Sequence, residues 1–250
     1  CLAGGRIFGP GFTVYSATHI PDILRVMLAL TVGVPEINLR VVAPAVGGGF
    51  GCKLDVYAEE ALALALARRM RQPVRWVEKR TEHSTATIQG RGQIQNIELA
   101  ADADGRVTAV RVRLLADMGA YLQLVTPGIP LLGAFLYAGV YDVPAYDFAC
   151  TAVFTTKTPT DAYRGAGRPE ATYAIERTMD ALAAEVGVDP AEIRRRNFIA
   201  PDKFPYSSVA GLVYDSGNYE AALDRCLELS GYQELRAEQE RRRQAGDRVQ

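Results

Sequence analysis

Histidine and cysteine are scarce, with 2 His and 4 Cys in 250 residues. His19 and His83 have no partner at metal-ligand spacing, and Cys1, Cys52, Cys150 and Cys226 lie far apart without a C-x-x-C pair. A zinc knuckle, an iron–sulfur ligand set and a disulfide framework are therefore excluded, and no metal site made of side chains alone can be drawn. A reducing, cytoplasmic setting is expected, with a place at the inner face of the membrane left open. Net charge is also lacking: 28 Lys+Arg against 29 Asp+Glu leave −1. Without a broad basic field, nucleic-acid binding is not expected. The longest apolar candidate, 131–140, is broken by Gly133 and Gly139. It falls short of the ~18 residues a membrane-spanning helix needs.

What is present is the composition of an ordinary globular protein, 48% hydrophobic and 23% charged. The chain begins with Cys1 rather than Met and ends in a charged, helix-like stretch, so it reads as an internal piece of a longer protein. Helices are expected at 21–33, opened by Pro21, at 55–70, at 169–186, at a short stretch capped by Asp189-Pro190, at 216–230, and as a solvated face from Gln233. Strands are expected at 37–42, 74–78 and 146–155, and a hairpin at 93–101 and 107–115 turned by Asp102-Ala103-Asp104-Gly105. Helices and hairpins interleave, which favours an α+β fold of mixed β-sheets with packed helices over a doubly wound parallel sheet. The shift to Pro, Ser, Gly and Tyr over 198–218 marks a boundary, giving units 1–205 and 206–250.

Two loops stand out. Gly47-Gly48-Gly49-Phe50-Gly51 lies at a strand-to-helix turn, where several backbone N–H groups can meet a bulky or anionic ligand without interference from Cβ atoms. It fits neither G-x-G-x-x-G nor a P-loop, since Cys52 precedes Lys53. A tight turn that merely packs helix on sheet has equal standing. The second loop, Thr160-Asp161-Ala162-Tyr163-Arg164-Gly165-Ala166-Gly167-Arg168-Pro169-Glu170, sets small residues between two arginines and suits a planar or phosphorylated group. Its plain alternative is arginines pairing with Asp161, Glu170 or carbonyls. Arg194-Arg195-Arg196 reads as solvated and receives no role.

Together, Gly-Gly-Gly-Phe-Gly-x-Lys at 47–53 and Ala-Tyr-Arg-Gly-Ala-Gly-Arg-Pro-Glu at 162–170 resemble the molybdopterin-binding large subunit of the xanthine dehydrogenase and aldehyde oxidase family. The nearest pattern is that of the bacterial carbon monoxide dehydrogenase-like large subunits. The likeness runs from about Phe12 through Arg194-Arg195-Arg196-Asn197 to Tyr214-Asp215-Ser216-Gly217-Asn218-Tyr219. It implies a molybdenum-cofactor-binding domain, 1–205, followed by the first helices of a second one in 206–250. It also implies a molybdenum hydroxylase that oxidatively hydroxylates an aldehyde or N-heterocycle. The metal would be held by its pterin, in the cytosine dinucleotide form, which fits the scarcity of His and Cys. Electrons would pass to 2Fe-2S clusters and FAD carried by a small iron–sulfur subunit and a medium flavin subunit, in a dimer of heterotrimers.

By the same resemblance, Gly48, Gly49, Phe50 and Gly51 lie against the cofactor, with Arg164 and Gly165 beside it. Leu54 and Ala166 take substrate-facing positions. His19 stands where relatives have a glutamine contacting the metal's ligands, and a surface histidine is its bland alternative. The family's catalytic glutamate sits in a Gly-x-Gly-Glu segment that this sequence lacks, so the base is expected beyond Gln250. Gly165 replaces the copper-binding cysteine of carbon monoxide dehydrogenases, which argues against oxidation of carbon monoxide. Leu54 and the lack of Lys, Arg or His between Arg113 and Lys157 argue against a purine, whose polar edges would go unpaired. The competing readings are a non-catalytic scaffold, an inactive cofactor-binding paralogue, and a reductase of the aromatic acyl-CoA type.

Overall fold

The computed structural model describes residues 2–8 and 11–248; Cys1 lies outside them. The chain divides into two compact units, each assembled from separated segments. The first takes Cys1–Gln95, Arg113–Gly133 and Ala149–Glu170, and the second takes Asn96–Val112, Ala134–Phe148 and Ala171–Gln250.

In the first unit a four-stranded sheet has the order β3-β2-β1-β4, built from β1 (Leu2–Phe8), β2 (Gly11–Tyr15), β3 (Leu39–Val42) and β4 (Val74–Val77). β1 runs antiparallel to both neighbours, while β2 and β3 are parallel. Parallel pairing needs a crossover, and helix α1 (Pro21–Val32) supplies it. Pro21 presets the first turn, and Gly33 ends the helix at φ 67° with its N–H on the Ala29 carbonyl. Leu24 and Leu28, one turn apart, bury completely beside Val14, Leu39 and Leu64 of helix α2 (Ala58–Met70). Each such side chain contributes about 1.5–3 kcal/mol by leaving water.

In the first unit, two expected elements start later than the sequence suggests. Residues 36–38 form a 3-10 turn that leaves Ile37 94% exposed, so the strand begins at Leu39. The second helix begins at Ala58, not residue 55, because Asp55 is drawn inward to accept the Leu124 amide at 3.2 Å. Glu60 then accepts the Tyr57 N–H and organises the helix start. Helices α3 (Arg80–Ala86) and α4 (Gly128–Ala134) were not foreseen.

A three-stranded sheet of order β5-β6-β7 is built from β5 (Gln93–Ala101), β6 (Val107–Asp117) and β7 (Tyr146–Val153), of which residues 96–101, 107–112 and 146–148 belong to the second unit. Its core gathers Val107, Val110, Val112, Tyr137 and Tyr141 with Ile175 and Met179 of α5 (Arg168–Val186) and Ile193 of α6 (Pro190–Asn197). Asp189 caps α6 as expected, accepting the Ala191 and Glu192 amides. Buried Asn197 locks the hairpin turn to α6. It accepts the Val107 N–H at 2.7 Å and donates to the carbonyls of Gly105 at 2.9 Å and Ile193 at 2.8 Å. The expected loop at 198–218 holds the small hairpin β8 (Tyr206–Ser207) and β9 (Val213–Tyr214). Helix α7 (Tyr219–Ser230) starts three residues later than expected, capped by Asn218, and α8 (Tyr232–Gln244) is the exposed charged helix. Arg194, Arg195 and Arg196 are not free in solvent: they pair with Glu176 and Asp180, with Glu220 and Asp224, and with Glu192.

Candidate functional site

Both glycine loops belong to the first unit, and they dock directly on one another. The Arg164 amide donates to the Phe50 carbonyl at 2.9 Å, and the Arg164 guanidinium lies 5.7 Å from the Phe50 ring centroid, within cation–π range. Gly51 is held at φ +103°, and a Cβ there would sit 1.6 Å from the Ala162 carbonyl oxygen. Only glycine permits this approach.

The first loop is held from below through its carbonyls. Lys53 donates to Val46, His19 Nε2 to Gly47 at 3.3 Å, Cys52 N–H to Gly49 at 2.9 Å, and Leu54 N–H to Gly51 at 2.9 Å. Among the described residues, the N–H groups of Gly48, Gly49, Phe50 and Gly51 have no acceptor. The loop thus spends its acceptors on the protein and keeps its donors uncommitted. His19 is exposed and packs under the loop, where a Cβ on Gly49 would come within 2.6 Å of its ring. Its Nε2 must carry the proton to bond Gly47.

In the second loop Gly165, Ala166 and Gly167 lie in succession at φ +100°, +47° and +86°. Three such residues in a row, one of them not glycine, need support from their flanks. That support comes from Arg91, which the sequence reading passed over. Its Nη2 donates to the Arg164 carbonyl at 2.8 Å, its Nη1 pairs with Glu170 Oε2 at 2.7 Å, and its guanidinium covers the Tyr163 ring at 4.6 Å. Glu170 therefore pairs with neither loop arginine, and Asp161 instead accepts the Val125 N–H and the Thr126 hydroxyl, each at 3.0 Å. Among the described residues Arg164 forms no ion pair. Among the described residues the Arg168 guanidinium reaches only the Gly165 carbonyl, at 3.3 Å.

A cavity of about 640 Å³ opens beside the loops, lined by Gly49, Phe50, Cys52, His83, Arg91 and Tyr163 among others. Leu54, Ala166, Arg164, Gly165 and His19 do not line it. His83 is oriented by Glu78, with Nδ1 3.0 Å from Oε2. Beneath the loops, burial pushes the Asp55 carboxyl up to about 6, against the Leu124 hydrogen bond and helped by the nearby Asp161 charge. Burial likewise raises Glu60, opposed by its hydrogen bonds from Ser16 and Tyr57. Asp117, tied to Lys157, Thr155 and the Gly119 amide, is held down at about 2. Among the described residues no group of three His, Cys, Asp or Glu side chains could hold a metal. No helix there is long and apolar enough to cross a membrane.

Comparison with known proteins gives a consistent result. A family model described as a molybdopterin cofactor-binding domain matches residues 8–198. The carbon monoxide dehydrogenase large chain of Hydrogenophaga pseudoflava is 37% identical over 97% of this chain and 31% of its own length. The nicotine 6-hydroxylase large subunit of Paenarthrobacter nicotinovorans is 35% identical over 98% of this chain and 30% of its own. The crystal structure of quinoline 2-oxidoreductase from Pseudomonas putida 86 superposes with a TM-score of 0.92 at 34% identity, covering 98% of this chain and 32% of that one. The chain spans about 31% of the length of the carbon monoxide dehydrogenase large chains it matches.

Proposed function

The chain belongs to the molybdopterin cofactor-binding domain family, and we propose that it forms the part of a molybdenum hydroxylase large subunit that grips the cofactor with its two docked glycine loops. One observation carries the reading: the uncommitted amides of Gly48, Gly49, Phe50 and Gly51 belong to a loop that docks on cationic Arg164 and that Cβ atoms at Gly49 or Gly51 would force against His19 or Ala162. Electron-rich oxygen or sulfur ligands suit such a donor-only surface, so the residues present fit the group. When bound, the cofactor supplies a redox metal already ligated by its pterin dithiolene, the electron acceptor of the oxidation.

This chain's own residues bind and orient. The Gly48–Gly51 amides donate to the cofactor's ligands, and Arg164 and Gly165 flank it. His19 acts through the loop it supports. Leu54 and Ala166 present small, uncharged surface to the substrate, for which we propose an aldehyde or N-heterocycle. The relatives named for nicotine and quinoline support the heterocycle. No residue here is assigned the substrate proton, since no Gly-x-Gly-Glu segment occurs in the sequence. We further propose the cytosine dinucleotide form of the cofactor, iron–sulfur and flavin partner subunits, and a cytoplasmic complex. The relatives named as large chains and large subunits support the partners, and free Cys52, Cys150 and Cys226 support a reducing setting.

The test is elemental and pterin analysis of the purified full-length protein, followed by turnover of quinoline-type heterocycles, aldehydes, xanthine and carbon monoxide. Bound molybdenum with turnover of the first two classes is expected. Metal-free, pterin-free protein sinks the cofactor reading, and preferential turnover of xanthine or carbon monoxide sinks the substrate reading.

A further inference from the structure

The strained arc of the second loop has its two ends held by one side chain. Arg91 bonds the carbonyl of Arg164, immediately before Gly165-Ala166-Gly167, and the carboxylate of Glu170, shortly after it. Arg91 is itself placed with care. It sits at φ +71° between two glycines, and a Cβ on Gly90 would come within 2.9 Å of Tyr163 Cβ. The turn that carries it is strapped to the second loop's approach by the Gln89 N–H on the Pro159 carbonyl and the Asp161 N–H on the Gln89 carbonyl. Glu170 is buried, and its other oxygen, Oε1, has no donor among the described residues, so Arg91 is the cation that compensates its charge.

We propose that Arg91 is a positioning residue for cofactor binding: by clamping Arg164 and Glu170 together it holds the Gly165-Ala166-Gly167 arc in its receptive shape. The inference rests on the cofactor reading given above. A planar fork is required, since guanidinium can donate to the carbonyl and the carboxylate at once and a lysine ammonium presents a single point. The same peptide that receives Nη2 on its oxygen side follows the amide bonded to Phe50, so the clamp also fixes how the two loops meet.

Removing Arg91 alone strands a buried charge and can unfold the protein for that reason alone. The decisive variants are therefore Arg91→Lys, which keeps a cation for Glu170, and the double change Arg91→Met with Glu170→Leu, which leaves neither charge. Full-length wild-type and variant proteins are compared by thermal midpoint and by the pterin and molybdenum retained after gel filtration. The expected result is near wild-type midpoints with retained cofactor reduced about 10–100-fold in both variants, the scale of losing a supporting contact behind a metal site. Undiminished cofactor in the double variant overturns the proposal, as does Lys restoring cofactor and stability together. If wild-type protein carries no pterin, the cofactor reading fails and this inference with it. A loaded wild type with equally loaded variants defeats the inference alone.

Discussion

The Arg164 amide donates to the Phe50 carbonyl at 2.9 Å, so two loops far apart in sequence share one peptide-to-peptide bond. Next to it, Gly51 lies at a φ that side chains rarely adopt, where the Ala162 carbonyl leaves no room for a Cβ. Gly51→Ala must therefore push the loops apart. A loss of about 2–4 kcal/mol is expected from backbone strain plus overpacking, read by urea unfolding of the full-length protein. Cofactor content should fall with it. Unchanged unfolding and unchanged pterin would show that the docking of the loops is dispensable.

Gly49→Ala sets a new methyl against the His19 ring at 2.6 Å, and against Lys53 Cβ at 3.2 Å. The variant should bind less pterin, and His19→Ala in the same chain should recover a large part of the loss, because the clash with the ring is the severer one. A double variant no better than Gly49→Ala alone would refute this account of His19 as the floor of the loop.

Asp55 supplies a pH signature. Its folded value of about 6 lies above the usual carboxylate range, so the folded state binds its proton more tightly than the unfolded chain does. The stabilising contribution is present below about pH 4 and is lost as pH rises through 6; at neutral pH the buried charge is a cost. Asp55→Asn removes the titration. Its stability from pH 4 to 6.5 should fall less steeply than that of the wild type, with a gain of about 1–3 kcal/mol at pH 7. Parallel pH profiles from chemical unfolding would rule the effect out.

In the second unit, Asn197→Ala leaves the Val107 N–H and the Gly105 carbonyl without their buried partner. About 2–4 kcal/mol should be lost in chemical unfolding, since each unsatisfied group bears its full desolvation cost. A loss below 1 kcal/mol would mean that water takes Asn197's place.

The elements that the sequence reveals are those with local punctuation. Pro21 and Gly33 bracket α1, Asp189-Pro190 opens α6, and alternation with Asp-Gly marks the β5–β6 hairpin. Where a distant partner decides, the local signal misleads. Asp55 looks helical but is spent on Leu124, 69 residues away, so α2 starts late. Helix α3 carries Arg-Thr-Glu-His-Ser-Thr-Ala with no apolar period to betray it. The glycine loops were legible because small residues at a turn are a local signature. Arg91 was not, since Gly90-Arg91-Gly92 reads as a bare turn and its partners lie 73 and 79 residues onward.

The committed carbonyls and uncommitted amides of the first loop constrain how this surface can change over time. The recognition groups proposed for it are main-chain donors, which no replacement of a side chain other than by proline can delete. Polar, apolar or charged exchanges around the rim alter what neighbours the ligand while the grip itself persists. What the loop cannot tolerate is the gain of a single methyl at Gly49 or Gly51. On the proposed reading, diversification is steered toward positions such as Leu54, outside both the glycine run and the left-handed arc at 165–167.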